Sequence, residues 1–233
     1  NVVGIGIIKL RNGGVLQEHI LKNVLNIGIF QIFRLSVKSI SIKLIGILSK
    51  IFGFPFYSSC EQVASKYNLN FKVVSKINNI HFKNWVRGLK PDFIISSNTL
   101  ILDEELINIP SQACINRHSS ILPSNAGILP VFRSLIDNHS HTGVTIHSMT
   151  KKIDEGEILE QFAIPIFPGD TLTKLYELCF NISYELVLNV VENYNSKKIK
   201  FRSLKKNSLP KSYFSYPTQE EWKKFKSKGL KFL

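Results

Sequence analysis

The sequence is poor in cysteine. Cys60, Cys114 and Cys179 are the only three in 233 residues, and they stand far apart with no C-x-x-C pair. That spacing excludes a zinc knuckle and a disulfide framework, and it suits a reducing, cytoplasmic setting. Metal-binding histidine patterns are missing too: neither H-x-x-x-H nor H-E-x-x-H occurs among the six histidines. Acidic residues are few, 17 against 30 lysines and arginines, leaving a net charge of +13. Such a surplus favours an anionic partner (a nucleotide, a nucleic acid or a membrane surface) unless it reflects only a lysine-rich background. No internal repeat is visible. The chain opens at Asn1 rather than Met and shows no signal-peptide pattern, so a longer native chain is expected.

What the sequence does have is enough apolar residue, 44%, to bury a full core in one large domain or a domain with a tail. Residues 20–56 are the most hydrophobic part. A spanning helix needs about 20 nearly uncharged residues, and Arg34, Lys38, Lys43 and Lys50 interrupt this run. Ile40, Leu44, Ile47, Leu48 and Ile51 recur at helical spacing, with Lys43, Gly46 and Lys50 opposite. This amphipathic helix is expected to pack its stripe on a sheet or a second subunit. Peripheral contact with an anionic membrane through residues 20–56 stays open.

Elsewhere short β-branched runs alternate with helical ones. Val2 to Ile8, Phe71 to Ser75, Pro91 to Ser96 and Ala113 to Asn116 read as buried strands. Thr142 to His147 and Glu157 to Ile166 read as two more. Helices are expected after Ser58 and Ser59, around Phe82 to Leu89, over Leu129 to Asp137, and from Pro168 to Tyr194 with Asp170 as cap. The pattern predicts an α/β fold, Rossmann-like, with a mostly parallel central sheet flanked by helices. Past Asn195 the chain turns basic, then offers a short helix with a Thr218/Glu221 capping box and Gly229 at its end.

In such folds chemistry gathers at the carboxyl ends of strands. Asn116 and His118, in NRHSSILPSNAG, sit just past one. An Asn amide can donate to a developing oxyanion, and a histidine moves protons near neutral pH. Asp154, in KKIDEGEIL, can orient or charge that imidazole if folding brings it near. Together they describe attack on a carbonyl-type carbon with no Ser or Cys nucleophile in view. Singly, each reads more simply as a turn former or a structural histidine. His81, His139, His141 and His147 are assigned to that structural class.

Read together, these segments resemble the folate-dependent formyltransferase superfamily, which spans methionyl-tRNA formyltransferase, glycinamide ribonucleotide transformylase and the sugar N-formyltransferases. The first motif stands as Asn116, His118, Ser120, Ile121, Leu122, Pro123 and Gly127. The second, TGVTIH (Thr142 to His147), is followed by Asp154, Glu155 and Gly156. The resemblance covers about Lys90 to Ile166 well, and more loosely the whole chain. It implies a formyltransferase that carries a formyl group from 10-formyltetrahydrofolate to a primary amine without a metal. It also implies that Asn116 stabilises the oxyanion, that His118 handles the amine proton, and that Asp154 sets the protonation of His118. Folate contacts would come from Ser97, Asn98, Leu100 and Ile101 in one loop and from Ile153 and Gly156 in another. Ser120, Pro123 and Gly127 would form the substrate-side loop.

On this reading residues 1–195 form the catalytic domain, with an apolar helical insertion at about 20–56, and residues 196–233 a basic tail. The strand and helix with which the family normally begins are not seen ahead of Val2. The C-terminal barrel of the methionyl-tRNA enzymes has no counterpart among the some forty residues after the long helix, which makes tRNA the less expected acceptor. The tail, with Tyr213, Phe214, Tyr216 and Pro217, resembles that of smaller formyltransferases acting on amino sugars. An anionic nucleotide-linked amino sugar is therefore the expected acceptor. A methionyl-tRNA formyltransferase-like enzyme, a hydrolase of the formyl donor, and a non-catalytic relic that binds a membrane or partner are the alternatives. A homodimer stays open.

Overall fold

The computed structural model describes residues 1–9, 28–97, 100–195 and 210–233. The chain divides into two compact units, Asn1–Leu89 and Lys90–Leu233.

In the first unit, β1 (Ile5–Ile8) pairs in parallel with β2 (Phe71–Val74). Among the described residues they are accompanied by helices α1 (Ile29–Phe52), α2 (Cys60–Lys66) and α3 (Ile80–Leu89). Ser59 caps α2, its hydroxyl accepting from the Gln62 N–H at 3.3 Å. Gly6 lets the Phe82 ring of α3 approach the β1 backbone, where a Cβ would collide with it.

The stripe on α1 is oriented opposite to the expectation of packing on a sheet. Its buried residues are Gly46 and Ser49, while Ile40, Leu44, Ile47, Leu48 and Ile51 are exposed. The cause is local. Ser58 lies where a side chain at position 46 would be, and the Ser49 hydroxyl donates to the carbonyl of Phe56 at 2.6 Å. The small, polar face of the helix is thereby turned inward. Residues 20–27 of the apolar stretch lie outside the described residues.

The second unit is built on a four-stranded sheet in the order β3 (Phe93–Ser96), β4 (Ala113–His118), β6 (His141–Ser148), β7 (Ile158–Pro165). The β3–β4 pair is parallel, whereas β4–β6 and β6–β7 are antiparallel. The Rossmann-like α/β fold thus ends in an antiparallel hairpin. It can do so because only a short loop separates β6 from β7, too little chain for the crossover that a parallel pair requires.

Helix α4 (Glu104–Ile107) follows β3, and β5 (Ala126–Gly127) and α5 (Pro130–Ile136) follow β4. The long α6 (Leu172–Asn193) packs on β6 and β7 with Leu172, Leu175, Cys179 and Val190 buried. Its cap is Thr171, whose hydroxyl accepts from the Lys174 N–H, and not Asp170. Asp170 lies one residue earlier and accepts from the Phe167 N–H and the Lys174 ammonium instead.

The tail joins this unit. Strand β8 (Tyr213–Phe214) pairs in parallel with β5, and α7 (Gln219–Ser227) packs on α5. The capping box forms as expected, with the Thr218 N–H donating to Glu221 at 2.7 Å and the Glu221 N–H to Thr218 at 3.2 Å. The Glu221 carboxylate also takes both terminal nitrogens of buried Arg133, a forked, charge-assisted contact. Phe132 is fully buried and sits against Trp222 and, stacked at 5.0 Å, Phe225. Phe132→Ala is expected to cost about 3–5 kcal/mol of unfolding free energy by leaving a cavity there. Urea titration followed by tryptophan fluorescence would measure it, and a loss below about 1 kcal/mol would show that the tail does not depend on this cluster.

Candidate active site

Strand β4 carries Asn116 and His118 on one face, two residues apart. Antiparallel pairing sets His147 of β6 directly opposite Asn116, and Thr145 opposite His118. That register brings a second histidine to the site. His147 therefore belongs to the site and not to the purely structural histidines. Its Nδ1 lies 2.8 Å from the Ser148 carbonyl, which can only accept, so Nδ1 carries the proton. In the neutral ring Nε2 is then bare, and the Asn116 amide donates to it at 3.2 Å. The Asn116 amide is thereby oriented with its second N–H left over. Its Oδ1 is buried without a partner among the described residues.

His118 is fixed by a carbonyl in the same way, with the nitrogens exchanged. Nε2 donates to the Asn125 carbonyl at 3.0 Å, so the basic position of the neutral ring is Nδ1. That atom faces the Asp154 carboxylate at 3.7 Å, an ion-pair distance too long for a direct hydrogen bond. Burial pushes the His118 pKa below its ordinary value of 6.5, although the Asp154 charge and the Asn125 carbonyl oppose the shift. The ring is therefore neutral at physiological pH, with an open base next to a carboxylate that favours its protonated form.

Asp154 is the meeting point. One carboxylate oxygen accepts from the Gly127 N–H at 2.8 Å and the other stands 3.5 Å from His147 Nε2. Burial alone would raise its pKa, but His147, His118 and the Gly127 N–H together hold it below 3.8. Its backbone sits at φ +54, a left-handed conformation that Asp tolerates better than most residues. Gly127 sits at φ +93, and a Cβ there would overlap the Phe214 carbonyl of β8.

These residues line a cleft of about 470 Å³. Its walls include Ser97, Leu100, Ile101 and Leu102 from the loop after β3, and Met149 to Asp154 from the loop after β6. Both loops expected to take folate thus border one cavity, and an exposed ion pair at 2.7 Å joins Lys151 of the second loop to Glu104 at the start of α4. Asn98 lies outside the described residues.

Three expected contacts are placed elsewhere. Gly156 lines a neighbouring depression rather than this cleft, and passes so close to the Ser148 carbonyl that no Cβ would fit. Ser120 is buried beneath the loop, donating to the Ser124 carbonyl at 2.8 Å. Pro123, after a cis peptide bond, borders the same depression as Gly156. Asn125, Tyr213 and Tyr216 were not anticipated. Asn125 adopts φ +56 and aims its carbonyl at His118, which its place in a Ser-Asn-Ala-Gly turn could have suggested. The two tyrosines reach the cleft from the tail. Arg117 also reaches it, resting 3.9 Å over the Phe180 ring and donating to Ser119 and Ser183. Burial raises Cys114 to about 12 and Cys179 to about 11, which leaves both thiols inert at neutral pH.

The model of the Formyl transferase family matches residues 59–191, more than half of the chain. The chain belongs to this family. It is 39% identical over 133 residues to the bifunctional polymyxin resistance protein ArnA of Wigglesworthia glossinidia brevipalpis, covering 56% of this chain and 20% of that one. It is 32% identical over 141 residues to the methionyl-tRNA formyltransferase of Thermotoga maritima, covering 60% and 45%. The chain thus spans less than half the length of either relative. Among solved structures it resembles the formyltransferase PseJ from Anoxybacillus kamchatkensis, in complex with UDP-4,6-dideoxy-4-formamido-L-AltNAc and tetrahydrofolate. That match has a TM-score of 0.50 and 23% identity over 71% of this chain and 85% of that one, a likeness of fold.

The histidine shift gives a stability prediction for this formyltransferase family member. Because the folded pKa of His118 is depressed, the unfolded chain binds more protons between that value and 6.5, so stability falls as pH drops below 6.5. Asp154 adds a further loss below 3.8. His139, whose pKa burial also lowers, contributes in the same window as His118. His118→Gln should flatten the dependence of the urea midpoint between about pH 7 and 5. An unchanged slope would mean that the His118 pKa is not depressed by folding.

Proposed function

We propose that this family member transfers a formyl group from 10-formyltetrahydrofolate to a primary amine, with an anionic, nucleotide-linked amino sugar as acceptor. The carrying observation is the pairing of an oriented Asn116 amide with a neutral His118 whose Nδ1 faces Asp154.

The cleft suits a folate. Leu100, Ile101 and Ile153 offer apolar surface for a flat ring system, and Asn116 Oδ1, without a partner among the described residues, offers a buried acceptor. Bound there, the donor supplies an electrophilic formyl carbon. Asn116 donates its second N–H toward the carbonyl oxygen as negative charge develops, a contribution of about 3–4 kcal/mol in comparable sites. As the amine nitrogen bonds to the formyl carbon, His118 takes the amine proton at Nδ1 while Nε2 stays anchored on Asn125. Asp154 stabilises the resulting imidazolium and, held by Gly127, cannot swing away. His118 then returns that proton to the departing folate nitrogen as the old C–N bond breaks. Arg117, Lys151 and Lys152 at the cleft supply positive charge for an anionic acceptor. The nucleotide sugar in the PseJ complex supports that choice.

A methionyl-tRNA acceptor is the second reading, favoured by the 32% identity to the Thermotoga maritima enzyme. Incubation with 10-formyltetrahydrofolate and a panel of amino-sugar nucleotides, alongside charged initiator tRNA, separates the two. Tetrahydrofolate release is expected with a sugar nucleotide, falling by about 10²–10³ in Asn116→Ala and by about 10²–10⁴ in His118→Ala. Release with tRNA alone transfers the proposal to the second reading. Release unchanged in His118→Ala would exclude the mechanism.

A further inference from the structure

The outward stripe of α1 remains unexplained by formyl transfer. At 100° per residue, Phe33, Val37, Ile40, Leu44, Ile47 and Ile51 fall within a sector of about 80°, and all six are exposed, Phe33 and Ile51 by 65% and 68%. A continuous apolar band of this kind on a soluble surface marks a contact.

The charges say what it contacts. Lys43 and Lys50 flank the band on one side and Arg34 on the other, each about 80–100° from its centre, while Lys38 lies toward the inward face, and α1 contains no acidic residue. Long cationic side chains flanking an apolar face can keep their charged heads at a phosphate layer while their stems and the band sink below it. A second copy of this helix fits less well. Two such faces laid together would crowd the flanking cations of both with no carboxylate from either helix to offset them. Spanning is excluded by the same charges: among the described residues no helix is long and apolar enough to cross a membrane.

We propose that α1 lies in the surface of an anionic lipid bilayer, band downward, and so holds the chain at a membrane. The proposal rests on α1 alone and does not depend on the acceptor or the chemistry assigned above.

Co-flotation of the whole 233-residue chain with lipid vesicles tests it. Phosphatidylcholine vesicles containing about 30 mol% phosphatidylglycerol should carry the chain up, and pure phosphatidylcholine should carry at least about tenfold less. Leu44→Glu with Ile47→Glu should abolish flotation while leaving circular dichroism and melting unchanged, since both positions are exposed. Lys43→Glu with Lys50→Glu should weaken flotation at least about tenfold and serves as the second arm should the first variant misfold. Failure to float with the anionic vesicles overturns the proposal, as does flotation that neither variant moves. A dimer in sedimentation that Leu44→Glu with Ile47→Glu splits, with no flotation, assigns the band to a second copy and overturns it too.

Discussion

The Asp154 carboxylate is the point on which the site depends. It is held by one backbone N–H, that of Gly127, and stands between two histidines. Each histidine is fixed by a carbonyl on its far side, His118 by Asn125 and His147 by Ser148. Reversing either tautomer would break a hydrogen bond and put a second lone pair where the network needs a donor. The two rings therefore do different work. His147 orients the Asn116 amide, and His118 keeps an open base next to a negative charge.

This arrangement is reached through the sheet rather than through any single loop. The β4–β6 register sets Asn116 against His147 and His118 against Thr145, and a slip of one residue would turn every one of these side chains to the other face. The Gly127 end is held from the opposite direction. Its strand pairs with Tyr213–Phe214 of the tail, and the tail is anchored by the Arg133–Glu221 fork and the Phe132, Trp222 and Phe225 rings. A core cluster distant in sequence thus sets where the Gly127 N–H points, and through it where Asp154 stands.

Much of this was legible in the sequence. The strands around Asn116 and through TGVTIH, the capping box at Thr218 and the coming together of Asn116, His118 and Asp154 could be read from local pattern and motif. His147 could not, because its neighbour is decided by strand register, and the TGVTIH run contains no sign of which strand lies opposite. Gly156 read as a ligand-loop glycine, yet glycine is equally demanded where a backbone must pass a carbonyl, and Ser148 supplies one. The stripe on α1 identified a helix correctly but not its inward face, because burial of Gly46 and Ser49 depends on Ser58 and Phe56. Tyr213 and Tyr216 enter the cleft only through a pairing between residues almost ninety apart.

The chemistry rests on a buried, neutral, Nε2-protonated His118 whose charged form Asp154 is placed to stabilise. Nitrogen-15 NMR of the imidazole rings, with His118 assigned through its Gln variant, reads this directly. Expected are an Nε2–H tautomer at neutral pH, a titration below 6.5, and a further fall of that pKa in Asp154→Asn, since the carboxylate is what partly offsets burial. A His118 ring already charged at neutral pH, or a titration that Asp154→Asn leaves in place, would contradict it.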